Sequence, residues 1–249
     1  MQEHFLKSTR QFIPEIKLLF IHIPRTGGSF IEKNLYNLAS SLQSVKTNKF
    51  SSHFALQSYP EEIQKYQSFT VVRNPCDRIY SFVKNFFSLP TSTPKENTLK
   101  KLNYPESISD LIGSLYDLHK SNKLLWQQNE EDSLIRSCED SDYFFVHFTP
   151  QVFYCKASGN QNILNTIARK LRIKSDINVD FILKYEQLEF DFLKMLNNLD
   201  INQEAHAFLM ENIVNKVRSE KNINNFSEQD LQKIREIYQL DFKTFNYEY

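Results

Sequence analysis

Residues 17–41 constrain the fold of this chain more than any other stretch. They begin with an apolar run at 18–23, whose length and β-branched residues are typical of a buried strand in a parallel sheet. Turn-forming residues follow at 24–28, Ser29 stands at the predicted helix N-cap, and apolar residues then recur at helical spacing. The stretch therefore predicts a strand, a glycine turn and a helix. The N–H groups and the dipole at such a helix start favour the binding of a phosphate or sulfate.

The use of glycine strengthens this prediction. The chain has only 4 glycines among 249 residues, and two of them are the adjacent Gly27 and Gly28. Average proteins contain roughly 7% glycine, so adjacent glycines in a chain this poor in them indicate a specific requirement. That requirement is a positive φ or a close approach of the backbone to a ligand, because a Cβ atom disfavours both. The alternative is an ordinary strand-to-helix turn that binds no ligand.

A second strand-to-helix junction follows later in the chain. The β-branched run at 69–72 predicts another parallel strand, after which Asn74 is the predicted N-cap and Pro75 lies in the first helical turn. Arg73 ends the strand, and Ser81 lies two turns into the helix. A guanidinium matches phosphate oxygens with its fork of donors, so this junction is a second candidate anion site. Taken singly, an exposed arginine and a serine on a helix face would explain the same residues.

These two junctions resemble the donor-binding motifs of the sulfotransferases that use 3′-phosphoadenosine 5′-phosphosulfate (PAPS). Residues 24–29 read Pro-Arg-Thr-Gly-Gly-Ser, where that family usually has Pro-Lys-Thr-Gly-Gly-Thr, so the charge and the hydroxyl are kept. Residues 73–81 match the family pattern Arg-Asn-Pro-x-x-Arg-x-x-Ser. Nucleoside triphosphate P-loops instead have a lysine after their last glycine. The resemblance covers residues 17–249 and is looser outside the two motifs.

The resemblance implies a fold as well as a motif. It implies an α/β three-layer sandwich with a central, mainly parallel sheet like that of nucleotide kinases, and a helical C-terminal part. We therefore expect a single sulfotransferase domain at residues 17–249, preceded by an N-terminal extension at residues 1–16.

The resemblance also implies roles for individual residues. The residues expected to bind the donor are Arg25, Thr26, Gly27, Gly28, Ser29, Phe30, Arg73 and Ser81. Arg25 is expected to neutralise charge on the leaving phosphate oxygen, and Arg73 and Ser81 to hold the 3′-phosphate. His53 is the expected general base, because relatives have a histidine between the two motifs and an imidazole can take the proton of an attacking hydroxyl. No metal is needed for this mechanism.

Two histidines compete for the role of base. His53 has a structural alternative, in which its ring only packs beneath a neighbouring side chain. His147 lies in an aromatic segment, where a histidine satisfied inside the cluster is the favoured interpretation. The resemblance nevertheless places His147 and Gln151 near the acceptor cleft.

Two further features near the second junction are interpreted from the residues alone. Cys76 stands at a helix start, where a thiol can be reactive, but a small buried apolar side chain is the favoured interpretation. Residues 90–98 are rich in turn formers and have no apolar period, so they predict a surface loop.

Charge and cysteine content limit the partners and the compartment. The 30 basic and 30 acidic residues cancel, so no net charge attracts the chain to nucleic acid or to an anionic membrane, and any anion site must be local. The 3 cysteines form no C-x-x-C motif and suggest neither a disulfide framework nor a zinc site. Residues 1–16 contain no apolar run long enough for a signal peptide or a spanning helix. We therefore expect a cytoplasmic protein with no transmembrane segment, while peripheral membrane contact stays open.

The reaction implied is sulfuryl transfer from PAPS to a hydroxyl of a carbohydrate or glycolipid. Two alternatives remain, an ATP-dependent kinase on the same fold and a non-catalytic protein that binds a nucleotide or a glycan. The missing Gly-Lys-Ser/Thr sequence disfavours the kinase. The sequence does not name the acceptor.

Overall fold

The structure, a computed structural model, contains a four-stranded sheet within the residues that it describes. The described residues are 11–42, 53, 55–90, 92–124, 143–156, 177–213 and 226–248. The strands are β1 (Phe12–Ile13), β2 (Leu18–Ile21), β3 (Gln67–Val72) and β4 (Phe181–Lys184). Strands β2, β3 and β4 are parallel and adjacent in that order, and β1 pairs antiparallel with the outer side of β2. This confirms the predicted α/β class with a mainly parallel sheet.

The helices of the described residues follow the predicted alternation with strands. They are α1 (Gly28–Ser41), α2 (Glu61–Gln64), α3 (Pro75–Ser88), α4 (Thr93–Lys101), α5 (Ile108–Lys120), α6 (Tyr143–Phe148), α7 (Leu188–Leu196), α8 (Gln203–Glu211), α9 (Glu228–Ile237) and α10 (Gln239–Phe245). Every described element after β4 is a helix, which confirms the predicted helical C-terminal part. Residues 1–10 of the predicted N-terminal extension lie outside the described part of the chain, while Phe12–Ile13 pair with β2.

The chain divides into two compact units, residues 1–72 with 154–218 and residues 73–153 with 219–249. The first unit contains the sheet with α1, α2, α7 and α8. Every residue of β2 is buried, as expected for a strand covered on both faces. Aliphatic and aromatic side chains form the core of this unit. Phe20 stacks on Phe69 at a centroid distance of 4.9 Å, and Phe30 lies edge-on to Phe192 at 5.6 Å. Because β2 and β3 are parallel, both end at the same edge of the sheet.

The second unit is helical and contains α3 to α6, α9 and α10. Each apolar helix face packs into one core cluster, to which α3, α5 and α9 contribute most. The helix starts carry clear caps, since Ser107 accepts from the Asp110 N–H at 3.1 Å and Ser227 forms a capping box with Asp230. The Tyr238 hydroxyl donates to the Phe148 carbonyl at 2.6 Å and joins α10 to the end of α6.

The prediction of a surface loop at residues 90–98 was wrong, because helix α4 (Thr93–Lys101) occupies most of that segment. Ser92 has the extended backbone of an N-cap. The proline in the first turn does not interrupt the helix, because the N–H group that proline lacks would have no intrahelical acceptor at that position. Two lysines in the last turn also suit the helix dipole. The buried Thr98 shows that tertiary packing, rather than an apolar period, stabilises this helix.

Candidate active site

The glycine turn lies in the first unit, at the carboxyl end of β2. The chain turns through residues 24–27 before α1 begins at Gly28. Arg25 has a φ of 68° and Gly27 a φ of 99°, so both lie in the left-handed region. That region costs a residue other than glycine roughly 1 kcal/mol or more. Arg25, which is half-buried, is held in this conformation at the carboxyl end of β2.

The helix begins two residues earlier than the sequence predicted. Gly27, not Ser29, is the N-cap, because its carbonyl accepts the N–H groups of Phe30 at 3.0 Å and Ile31 at 3.4 Å. The N–H groups of Gly28 and Ser29 therefore precede the first intrahelical bonds. Ser29 is exposed in the first turn, where its hydroxyl and its N–H can both meet an anion.

The two adjacent glycines are required by different contacts. Gly27 needs its positive φ, as predicted, and a Cβ there would also lie 2.8 Å from Leu188 Cδ2 and 3.0 Å from Tyr185 Cδ2. A Cβ at Gly28 would lie 1.8 Å from His22 Nε2. At Gly28 the space of a Cβ atom is therefore taken by the protein's own histidine ring.

His22 is a site residue that the sequence analysis missed. It follows β2 directly, is 7% exposed, and its Nδ1 lies 3.0 Å from Glu32 Oε1 on α1. Burial raises the pKa of the Glu32 carboxyl to about 7. The available signal was position, since a titratable residue at the carboxyl end of a parallel strand is where α/β folds place their ligand sites.

The structure brings His53 to this cluster. Its ring lies edge-on to His22 at a centroid distance of 4.4 Å, and its Nδ1 is 3.4 Å from the His22 carbonyl oxygen. His53 is half-buried, so its ring is reachable from outside. The glycine turn, His22, Glu32 and His53 therefore form one group within the first unit.

Two predicted donor-binding residues have structural roles in this unit. Thr26 is fully buried, and its hydroxyl donates to the Ile23 carbonyl at 2.8 Å, which closes the turn. Phe30 packs in the core against Phe192, and its N–H is bound to Gly27. Both residues therefore stabilise the turn.

The second junction, from Arg73 onward, lies in the second unit and has the predicted N-cap and first helical turn. Asn74 is the N-cap of α3 and accepts from the Cys76 N–H at 2.9 Å, with Pro75 as the first helical residue. Arg73 is 4% exposed. Its backbone is bonded to the side chain of Gln151, which is fully buried. Gln151 thus holds the backbone of the junction in place, and its position near the acceptor cleft stays a prediction.

The remaining motif residues of this unit differ in exposure. Arg78 is fully buried and donates to the His147 carbonyl at 2.9 Å. The His147 ring is 8% exposed and stacks on Phe82 at a centroid distance of 4.5 Å. This supports the structural interpretation of His147. Ser81 is half-buried on α3.

Cys76 is buried, and burial raises the pKa of its thiol to about 12. A thiol with so high a pKa carries almost no thiolate at neutral pH. This agrees with the favoured interpretation of Cys76 as a small buried side chain.

Two other kinds of feature are absent from the described part of the chain. No group of three or more His, Cys, Asp or Glu side chains among these residues is arranged to hold a metal ion. No helix in the described ranges is both long and apolar enough to cross a membrane.

Comparison with known proteins agrees with the motifs. A family model described as the sulfotransferase family matches residues 11–248, which include both junctions and nearly the whole chain. A comparison with curated protein sequences gave no match.

Proposed function

The chain belongs to the sulfotransferase family, and we propose that it moves a sulfuryl group from PAPS to a hydroxyl of a carbohydrate or glycolipid. Transfer of a sulfuryl group is the activity that the family implies. The observation that carries the proposal is the glycine turn, in which the left-handed Arg25 and Gly27 precede a helix start at the carboxyl end of a parallel strand.

We assign the 5′-phosphosulfate to this turn. The N–H groups of Gly28 and Ser29 and the dipole of α1 favour an anion there, and the Ser29 hydroxyl is exposed beside them. Arg25 supplies the positive charge that offsets the charge developing on the leaving phosphate oxygen. Arginine in place of the usual lysine keeps this charge and adds a second donor direction.

We assign the 3′-phosphate to Arg73 and Ser81. Arg73 follows β3 directly and precedes a capped helix start, where its guanidinium can offer two donors to phosphate oxygens. A phosphate at this position distinguishes PAPS from ATP. The kinase alternative would instead need a group that holds Mg²⁺ beside a triphosphate.

In the proposed reaction His53 takes the proton of the acceptor hydroxyl. The hydroxyl oxygen attacks sulfur, the bond between sulfur and the phosphate oxygen breaks, and adenosine 3′,5′-bisphosphate leaves with the electron pair of that bond. Positioning and electrostatic stabilisation account for the rate in such a transfer. The ring of His22 lies beside that of His53 and can orient it, and Glu32 is paired with His22.

Transfer from ³⁵S-labelled PAPS to a panel of glycans, glycolipids and phenols tests the proposal. We expect labelled product with a carbohydrate or glycolipid, and His53→Ala should reduce its formation by about 100-fold or more. The affinity of this variant for adenosine 3′,5′-bisphosphate should stay near that of the wild type. His206→Ala is the matched control, because His206 is a partly exposed histidine of the same unit bonded to Asn197 on the adjacent helix. Unchanged transfer by His53→Ala would remove His53 from the mechanism.

Binding of the bisphosphate nucleotide tests the role of Arg73. We expect Arg73→Ala to weaken this binding by about 2–3 kcal/mol, as for loss of a charge-assisted contact. Lys120→Ala is the control, since Lys120 is an exposed cation of the same unit that pairs with Glu236 at 2.8 Å. Tight binding of ATP with Mg²⁺, and none of the bisphosphate, would favour the kinase. Binding of the bisphosphate without transfer to any acceptor would favour a non-catalytic binding protein.

We also propose a cytoplasmic location. The buried Cys76 forms no disulfide, which suits a reducing compartment.

A further inference from the structure

The backbone of Arg73 is held by one side-chain amide. The Arg73 N–H donates to Gln151 Oε1 at 2.8 Å, and Gln151 Nε2 donates to the Arg73 carbonyl at 2.8 Å. These two bonds imitate the pairing that a neighbouring strand provides, at the first residue after β3 ends. Because both peptide groups of Arg73 are bound to the same amide, the direction of its Cα–Cβ bond is fixed.

Gln151 is in turn held by Asp241 on α10. The Asp241 carboxylate accepts the Gln151 N–H at 2.8 Å, the Val152 N–H at 3.0 Å and Gln151 Nε2 at 3.3 Å. Gln151 and Asp241 are both fully buried. In a buried site, a hydrogen bond is costly to lose, so this arrangement has few alternatives.

The charges around Asp241 suit this role. Burial raises the pKa of Asp241, whereas the positive charge of Arg78 and the N–H donors of Gln151 and Val152 act in the opposite direction. Arg78 also donates to the His147 carbonyl, which lies at the end of α6 just before the Gln151 turn. Arg78 and Asp241 therefore both bind the segment that carries Gln151.

We propose that Gln151 and Asp241 are positioning residues that aim the Arg73 guanidinium at the 3′-phosphate of the donor. This inference rests on the proposed function of Arg73. An arginine side chain has several rotatable bonds, so bidentate contact with phosphate depends on a fixed starting point for the side chain. Displacement by about 1 Å is enough to weaken such a contact. The competing explanation is that the network only stabilises the second unit.

The two explanations predict different nucleotide affinities. Gln151→Glu replaces the Nε2 donor with an oxygen that faces the Arg73 carbonyl, and Asp241→Asn replaces one accepting oxygen with a donor. Gln239→Glu makes the same amide-to-carboxylate change at an exposed position of the same unit and serves as control. The affinities for adenosine 3′,5′-bisphosphate and for adenosine 5′-monophosphate are measured by calorimetry for each folded variant.

We expect the preference of the wild type for the bisphosphate to fall about tenfold or more in Gln151→Glu and Asp241→Asn, while the monophosphate affinity changes by less than about threefold. The Gln239→Glu control should keep the wild-type preference. An equal loss for both nucleotides overturns the inference, because a purely structural role has that effect. An unchanged preference overturns it as well.

Two outcomes keep the inference separate from the function on which it rests. If the wild type itself shows no preference for the bisphosphate, the assignment of Arg73 fails, and the inference fails with it. If the variants do not fold, a crystal structure of the wild type with the bisphosphate decides. The inference is supported if that structure keeps both Gln151 bonds to Arg73 and shows the guanidinium on the 3′-phosphate. It is overturned if either bond is broken or if the guanidinium is directed elsewhere.

Discussion

The glycine turn of the first unit and the Arg73 junction of the second are held in place by different means. The turn is held by local backbone conformation and by side chains that occupy the space of missing Cβ atoms. The Arg73 junction is held by hydrogen bonds to the side chain of Gln151, which lies 78 residues further along the chain. Gln151 is in turn held by Asp241, a further 90 residues along the chain. The glycine turn therefore fails by steric conflict, whereas the Arg73 junction fails by loss of a buried hydrogen-bond partner.

Replacing Asp241 with alanine has the largest expected effect. This change leaves the N–H groups of Gln151 and Val152 without their acceptor in a fully buried place. We expect the free energy of unfolding to fall by about 3–5 kcal/mol, measured by urea denaturation. Asp191→Ala is the matched variant of the first unit, because Asp191 is half-buried and accepts the Lys184 N–H at 2.8 Å. We expect Asp191→Ala to lower the free energy of unfolding by about 1 kcal/mol. Equal losses in the two variants would contradict the distinction between the two regions.

Gly28→Ala tests the local arrangement. The new Cβ would meet His22, whose ring cannot easily move because it stacks on Phe20 at 5.3 Å and is paired with Glu32. We expect a loss of about 2–3 kcal/mol in the free energy of unfolding. The double variant with His22→Ala should lose less than the sum of the two single changes, since the conflict is then absent.

Gly113→Ala is the control for this change. Gly113 lies in α5, and a Cβ there would be 3.7 Å from its nearest neighbour, Lys233 Nζ. Alanine in place of glycine inside a helix is expected to stabilise the protein by roughly 0.5–1 kcal/mol. A Gly28→Ala variant as stable as the Gly113→Ala variant would show that His22 does not determine the glycine.

The same difference explains what could be predicted from the sequence. The strands, the turn and the N-cap Asn74 follow from local patterns, and the sheet and α3 confirm them. The sequence predicted that α1 begins after Ser29, whereas it begins at Gly28. Gly27, with its positive φ, is itself the N-cap. Local propensity did not reveal helix α4, since packing supplies its stability.

The contacts of the candidate site were harder to predict. The motif at 73–81 identifies Arg73, but no local pattern connects it with Gln151 or Asp241, because side-chain hydrogen bonds of this range depend on the folded topology. His22 had a local signal in its place after a strand. Its contact with Gly28 required the structure, since one turn of chain separates the two residues and only the fold shows which way the ring points.

Glu32→Gln has a smaller expected effect than Asp241→Ala and Gly28→Ala, and it changes how the stability of the protein depends on pH. Burial raises the pKa of Glu32 from 4.5 to about 7, so between these values the folded state binds more protons than the unfolded state. Stability therefore falls as the pH rises through this window. The side chain is 25% exposed, which reduces the expected loss to about 1–2 kcal/mol.

Urea denaturation at a series of pH values measures this loss. The neutral amide that Glu32→Gln introduces cannot titrate, so the variant should lack this decline between about pH 4.5 and 7. Glu61→Gln, at an exposed position of the same unit, should keep it. A decline that survives in Glu32→Gln would assign the pH dependence to another group. The local arrangement around His22 would then be independent of the charge on Glu32, and steric contact alone would distinguish the glycine turn from the Arg73 junction.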